Sequence, residues 1–191
     1  MPTLRKRRLS LDDMRSILAE SPDGIWDTLI ETGTYRAETT LLMAKLFFEV
    51  HSIELSEQLY KEAVEKCAEA GYVKSDGEHG IYLYHGNSVN VLPLLNFGYP
   101  LVYFLDAHAC KTKPMVTAHT FPLWEELDFI CSRPHHDIII IDDVHTFGEH
   151  DKRSEEPRWE EVTFDSIVNY IGVRKFVQRS KVVDDTFVVY V

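Results

Sequence analysis

The sequence predicts an α/β domain: a doubly wound sheet of seven strands, mostly parallel, with the last strand antiparallel to the rest. Three observations lead there. From residue 27 onward, five short apolar stretches alternate with amphipathic helical patterns, as βα repeats do. Two of those stretches, LVYFLDAH (101–108) and DIIIIDD (137–143), are apolar almost throughout, as strands buried on both faces must be. The chain then closes with KFVQRSKVV and TFVVYV on either side of Asp184 and Asp185, the pattern of a terminal hairpin.

The stretch LSLDDMRSILAE begins with Ser10 and carries Asp13 three residues on, a cap-like pair that starts a short helix. SPDG (21–24) is a turn. Residues 1–24 therefore read as an N-terminal tail with one short helix, and 25–191 as a single domain. DTLIETGTY (27–35) is the first strand running into a glycine-containing turn, and AETTLLMAKLFF is the helix after it. EVHSIEL (49–55) alternates and is the second strand. Ser56 caps the next helix, where Leu59, Ala63, Cys67 and Ala70 recur at helical spacing until Gly71 stops it. IYLYHGN (81–87) is the third strand and SVNVLPLL a short helical segment. After the fourth strand the loop ACKTKPMVTAHT is long enough to be functional. Pro122 sits at the first position of a helix whose buried face is Leu123, Leu127, Ile130 and Cys131. The fifth strand leads into the most polar segment, GEHDKRSEEPRWEE; Thr163 then caps a helix with Phe164, Ile167, Val168 and Ile171 on one face.

Composition limits the function. A chain of 191 residues with 45% hydrophobic content suffices for one buried core. A net charge of −11 disfavours a nucleic-acid partner held through phosphates. The basic run Arg5 to Arg8 reads as a solvated tail. No apolar run approaches the roughly 20 residues that span a bilayer, and the N-terminus lacks the apolar core of a signal peptide. Cys67, Cys110 and Cys131 are odd in number and widely spaced, which fits neither a metal site nor a disulfide framework. The expected compartment is the cytoplasm, and no membrane partner is expected.

Acidic residues carry the functional signal. Glu31, Glu54, Asp106, Asp142 and Asp143 each fall at or near the predicted C-terminal end of a strand. In a parallel sheet those ends share one rim, and ligands bind beyond it. Carboxylates gathered there repel one another unless a cation or cationic ligand joins them. The first turn, ETGTYRAET, has the single glycine Gly33 where a dinucleotide site shows G-x-G-x-x-G. That disfavours a pyrophosphate and favours a ligand carrying an ammonium and a ribose. Glu54, about 20 residues on, is placed to accept hydrogen bonds from ribose hydroxyls.

With IETGTYRAETT, VHSIELS, LYHGNS and YFLDAH…PLWEEL…IIIIDDVHTFG in order, the chain resembles the class I S-adenosylmethionine-dependent methyltransferases from about residue 25 to its end. It looks most like small magnesium-dependent O-methyltransferases of the macrocin and catechol type. The resemblance implies a Rossmann-like fold and methyl transfer to a small hydroxylated acceptor, a sugar or a phenol. It implies that Glu31, Gly33, Tyr35, Glu54, Asn87, Ser88 and Asp106 surround S-adenosylmethionine. It implies that Asp106, Asp142 and Asp143 hold Mg2+, and that Asp106 lies beside the methyl donor. His108 and His145 are candidates for the base, or for groups that orient the aspartates; Lys111 and Lys113 match the catechol-type lysine poorly in spacing. Trp159 is a candidate for a lid over the acceptor. Ala37 stands where many relatives carry a second glycine. The chain also lacks the long helical additions that relatives use for capping and dimerisation, so the oligomeric state is open, with a homodimer as one option. Two other functions fit the rim. One is a metal-dependent hydrolase using the Asp and His groups; the other is a non-catalytic S-adenosylmethionine-binding module.

Overall fold

The computed structural model describes residues 9–21, 25–72, 79–107, 122–148 and 161–191. His108, Cys110, Lys111, Lys113, His119, His150 and Trp159 lie outside them, as do the loop after the fourth strand and most of the polar segment after the fifth. Among the described residues no helix is long and apolar enough to cross a membrane.

Seven strands form one sheet: β1 (Thr28–Thr32), β2 (Glu49–Glu54), β3 (Gly80–His85), β4 (Val102–Leu105), β5 (Ile138–Ile141), β6 (Arg179–Val183) and β7 (Thr186–Tyr190). Their order is β3-β2-β1-β4-β5-β7-β6. The first five pair in parallel, while β7 runs antiparallel to both β5 and β6. The helices are α1 (Leu11–Ala19), α2 (Glu38–Met43), α3 (Glu57–Glu69), α4 (Ser88–Val91), α5 (Leu123–Ser132) and α6 (Phe164–Gly172).

The isoleucine run explains the layering. β-branched side chains favour the extended backbone, and alternate residues point to opposite faces. Ile139 and Ile141 join Ile30, Tyr103 and Leu105 under α5 and α6, against Leu127, Ile130, Ile167 and Ile171. Ile138 and Ile140 join Leu29, Val50, Val102 and Phe104 on the other face, against Met14, Ile17, Met43, Ala63 and Cys67. Both faces are covered, as continuous apolar strands require.

The caps at Ser10, Ser56 and Thr163 form as expected, the first and last as reciprocal capping boxes. The first helix packs into the main core: Met14 and Ile17 are fully buried, and Tyr190 donates its hydroxyl hydrogen bond to Ile17 O. α2 is shorter than its apolar pattern, because the chain must turn through Lys45–Phe47 to enter β2. Pro122 precedes its helix by one residue instead of opening it.

A buried ion pair fastens the sheet at the end away from the acidic rim. Arg133 Nε lies 3.1 Å from Asp137 Oδ2, and both side chains are almost inaccessible. The Arg133 guanidinium also donates to Asn96 Oδ1, Phe97 O and Tyr99 O, while Asp137 Oδ1 accepts from Leu101 N. Lys175 Nζ also lies 3.5 Å from Asp137 Oδ2. Removing Arg133 leaves the buried aspartate with this one longer contact, at a cost approaching that of a fully orphaned buried charge, about 3–5 kcal/mol. Arg133→Ala is therefore expected to lower the urea midpoint sharply, and a midpoint within error of the parent would refute this role for the pair.

Candidate active site

The strand order reverses between β1 and β4, both of which pair in parallel. Such a switch point leaves a crevice beyond the strand ends. The turn after β1 forms one wall. Gly33 has φ +87°, and a Cβ built on it would lie 2.3 Å from Asp106 O and 2.7 Å from Asp106 C. Only glycine lets the two backbones come so close. Beyond it, Tyr35 (φ 48°) and Ala37 (φ 54°) are left-handed without being glycine. That conformation costs an L-residue roughly 1–2 kcal/mol and clusters at functional sites. It also gives the physical reason why a second glycine suits position 37.

Glu54 holds this strained turn. Its Oε2 accepts from Tyr35 N at 2.8 Å and its Oε1 from Ser56 N at 2.8 Å. Gly33 N and Thr34 N donate to Ile53 O, which continues the ladder one step past the strand. The carboxylate is thus fixed at the end of β2, with lone pairs left on both oxygens.

Glu31 lies beneath the turn and not on the crevice wall. It is 1% exposed, and Thr40 Oγ1 and Ser52 Oγ both donate to its Oε2 at 2.5 Å. Burial pushes its pKa up to about 8, against the pull of those two hydroxyls. At neutral pH it is an uncharged acid that props the turn from below.

A cleft of about 190 Å³ opens over the turn, lined by Gly33, Tyr35, Arg36, Phe104, Asp106 and Asp142 among others, with Leu9 at its edge. Asp106 N donates to Thr32 O and Asp142 N to Leu105 O, so both acids stand one residue past the ends of β4 and β5. The Asp142 carboxyl is raised to about 7, first by burial and then by repulsion from Asp106 and Asp143.

Asp143 is left-handed (φ 56°) and starts a 3-10 turn, Val144–Thr146. In that turn His145 Nδ1 is 2.7 Å from Asp185 Oδ2, and His145 N donates to Asp185 Oδ1 at 3.0 Å. Asp143, His145 and Asp185 each offer a ligand atom within 4.8 Å of the others. Among the described residues this is the trio that meets so closely; the sequence-derived trio Asp106, Asp142 and Asp143 shares Asp143 with it but does not meet that distance. At the end of β3, Asn87 Oδ1 accepts from Val89 N and caps α4, and Ser88 is buried.

Two groups at the rim escape a sequence reading. Asp185 looks like a turn residue, and nothing local marks it as a partner 40 positions from His145. Glu126 had a signal: it shares the helical spacing of Leu123, Leu127 and Ile130, so an acid stands on an apolar face. It is 1% exposed, and burial raises its pKa to about 7.

A sheet in this order, with β7 reversed and the β1 turn closed on the end of β4, is the fold of the class I S-adenosylmethionine-dependent methyltransferases. Solved structures bear this out at the level of fold. A SAM-dependent methyltransferase from Aquifex aeolicus superposes with a TM-score of 0.56 at 17% identity, over 93% of this chain and 88% of that one. An O-methyltransferase from Bacillus cereus in complex with SAH gives 0.56 at 20% identity, over 86% of this chain and 73% of that one. An rRNA methylase from Streptococcus thermophilus gives 0.52 at 16% identity, over 97% and 96%. No protein-family model matches the chain, and no curated protein matches it in sequence.

Proposed function

We propose that the protein transfers a methyl group from S-adenosylmethionine to a hydroxyl of a small acceptor, a sugar or a phenol, with a divalent cation at the acidic rim. The observation that carries this reading is the cleft at the switch point, lined by Gly33, Asp106 and Asp142, whose turn Glu54 holds through Tyr35 N. S-adenosylmethionine supplies an electrophilic methyl group on a sulfonium. Glu54 accepts from the ribose, the backbone at Gly33 and Tyr35 lies along the methionine part, and Asn87 and Ser88 border the adenine. Glu31 keeps the turn in shape from beneath. Asp106 presents a negative charge to the sulfonium side.

The donor chemistry of the rim fits a cation, since Asp142 is raised first by burial and then by its acidic neighbours Asp106 and Asp143, and an ion would relieve that repulsion. Asp106, Asp142 and Asp143 are hard oxygen donors of the kind magnesium takes. The trio with the His145 imidazole suits a first-row transition ion better. Either would bring an acceptor hydroxyl within reach of the donor and ease its deprotonation. His145, oriented by Asp185, and His108 remain the candidate bases. The mixed trio also supports a second reading, a metal-dependent hydrolase, in which Glu54 and the Gly33 turn would have no task. The charge of −11 favours a small acceptor over a nucleic acid, and a cytoplasmic home is part of the proposal.

Calorimetric titration of S-adenosylmethionine, with and without magnesium, tests the reading. Saturable one-to-one binding is expected, weakened at least about tenfold in Glu54→Ala, because charge-assisted hydrogen bonds are lost. Asp142→Asn is expected to keep cofactor binding and to lower transfer by orders of magnitude. Binding in neither condition would remove the methyltransferase reading, and a fully active Asp142→Asn enzyme would remove the cation from it.

A further inference from the structure

We infer that Arg36 binds the carboxylate at the amino-acid end of the cofactor, and so makes the cleft select a ligand that carries both charges. The inference rests on the methyltransferase reading and adds to it the residue that recognises the far end of the methionine part.

The charges that line the cleft are unequal. Glu38, Asp106 and Asp142 are acidic, and Arg36 is the one cation among the described lining residues. Its backbone is held from several sides. Tyr35 and Ala37, before and after it, are both left-handed. Glu54 Oε2 accepts from Tyr35 N at 2.8 Å, and Arg36 O accepts from Lys66 Nζ of α3 at 2.7 Å. The guanidinium is not tied in the same way. It lies over the Tyr35 ring, 5.3 Å from the centroid, and among the described residues it makes no hydrogen bond or ion pair. The turn thus fixes where the side chain starts and leaves its N–H groups for a ligand.

The position selects the ligand group. In the proposed pose the ribose is at Glu54, and the methionine part runs along the backbone at Gly33 and Tyr35. The next residue of that turn is Arg36, on the cleft wall. The methionine part ends in an ammonium and a carboxylate. The acids of the cleft suit the ammonium and repel the carboxylate. Among the described lining residues Arg36 alone offsets that repulsion, and its planar fork of donors matches two carboxylate oxygens. A purely cationic ligand would leave it without a task.

The test is calorimetric binding of S-adenosylhomocysteine and of its decarboxylated analogue, S-adenosyl-3-thiopropylamine, which keeps the ammonium. The parent protein is expected to prefer S-adenosylhomocysteine by roughly tenfold to a hundredfold, the worth of charge-assisted hydrogen bonds. Arg36→Met keeps an apolar stem over Tyr35 and removes the charge. It should fold as the parent does, since Arg36 is exposed, and should bind the two ligands almost equally. Arg36→Lys should retain part of the preference, because an ammonium keeps the charge and loses the fork. A parent protein that binds both ligands equally overturns the inference and leaves the methyltransferase reading in place. So does an Arg36→Met protein that keeps the full preference, since the carboxylate would then be read elsewhere. An Arg36→Met protein that loses both ligands alike also overturns it, because the residue would then shape the cleft without reading the carboxylate. A parent protein that binds neither ligand overturns both.

Discussion

The cofactor-free protein is expected to lose stability as the pH rises from about 5 to 9, and Glu31→Gln is expected to remove much of that loss. Glu31 titrates near its ordinary 4.5 when unfolded and at about 8 when folded, because burial outweighs the hydrogen bonds from Ser52 and Thr40. Between those values the folded state binds the extra proton. Stability from this group is therefore fully present below about pH 4.5 and is lost as the pH rises through 8. Glu126, raised to about 7, acts in the same direction. A glutamine at position 31 can still accept from both hydroxyls and cannot ionise. At pH 9 the variant should exceed the parent by at least about 2 kcal/mol, and at pH 5 the two should nearly coincide. Urea unfolding at three pH values decides it. A parent whose stability is flat across that range would mean that Glu31 is not a neutral acid, and that the turn is propped by a charge.

Gly33→Ala is expected to be the most damaging single change in the site. The added Cβ would sit 2.3 Å from Asp106 O, a backbone atom that cannot swing aside, and at a φ of +87° that alanine resists. Relief requires the turn after β1 to part from the end of β4, which opens the cleft wall and frees Asp106. Losses above about 4 kcal/mol come from this kind of backbone conflict. Binding of S-adenosylhomocysteine should vanish even in conditions where circular dichroism still reports a folded sheet. A Gly33→Ala protein that binds with parental affinity would show that the close approach of the two backbones does not shape the site. Gly71, whose Cβ would meet nothing within 4 Å, is the control: it is also left-handed, yet far from any partner. Gly71→Ala should cost only the conformational penalty, about 1 kcal/mol, and leave binding intact.

The sequence by itself determined the elements and the rim. Strand alternation, the all-isoleucine run and the caps at Ser10, Ser56 and Thr163 are local signals, set by side-chain shape and by hydrogen bonds a few residues apart. Parallel strands then follow from βα alternation, and parallel strands put the acids of different strand ends together. Gly33 and Glu54 were legible for the same reason, since a turn and the strand that follows it are linked by a short stretch of chain.

Only the tertiary structure decided which acids are charged and what they touch. Glu31 and Glu54 look alike as acids at strand ends. One is buried under Thr40 and Ser52 and holds its proton; the other is clamped by the Tyr35 and Ser56 amides. Glu126 meets Ser88 across 38 positions, and His145 meets Asp185 across 40, because the order β3-β2-β1-β4-β5-β7-β6 brings distant segments to one rim. Ionisation depends on burial and on neighbours from other strands, and a periodic pattern records only which face of its own element a residue occupies. The sequence thus placed the carboxyl groups, and packing set their charge and their partners.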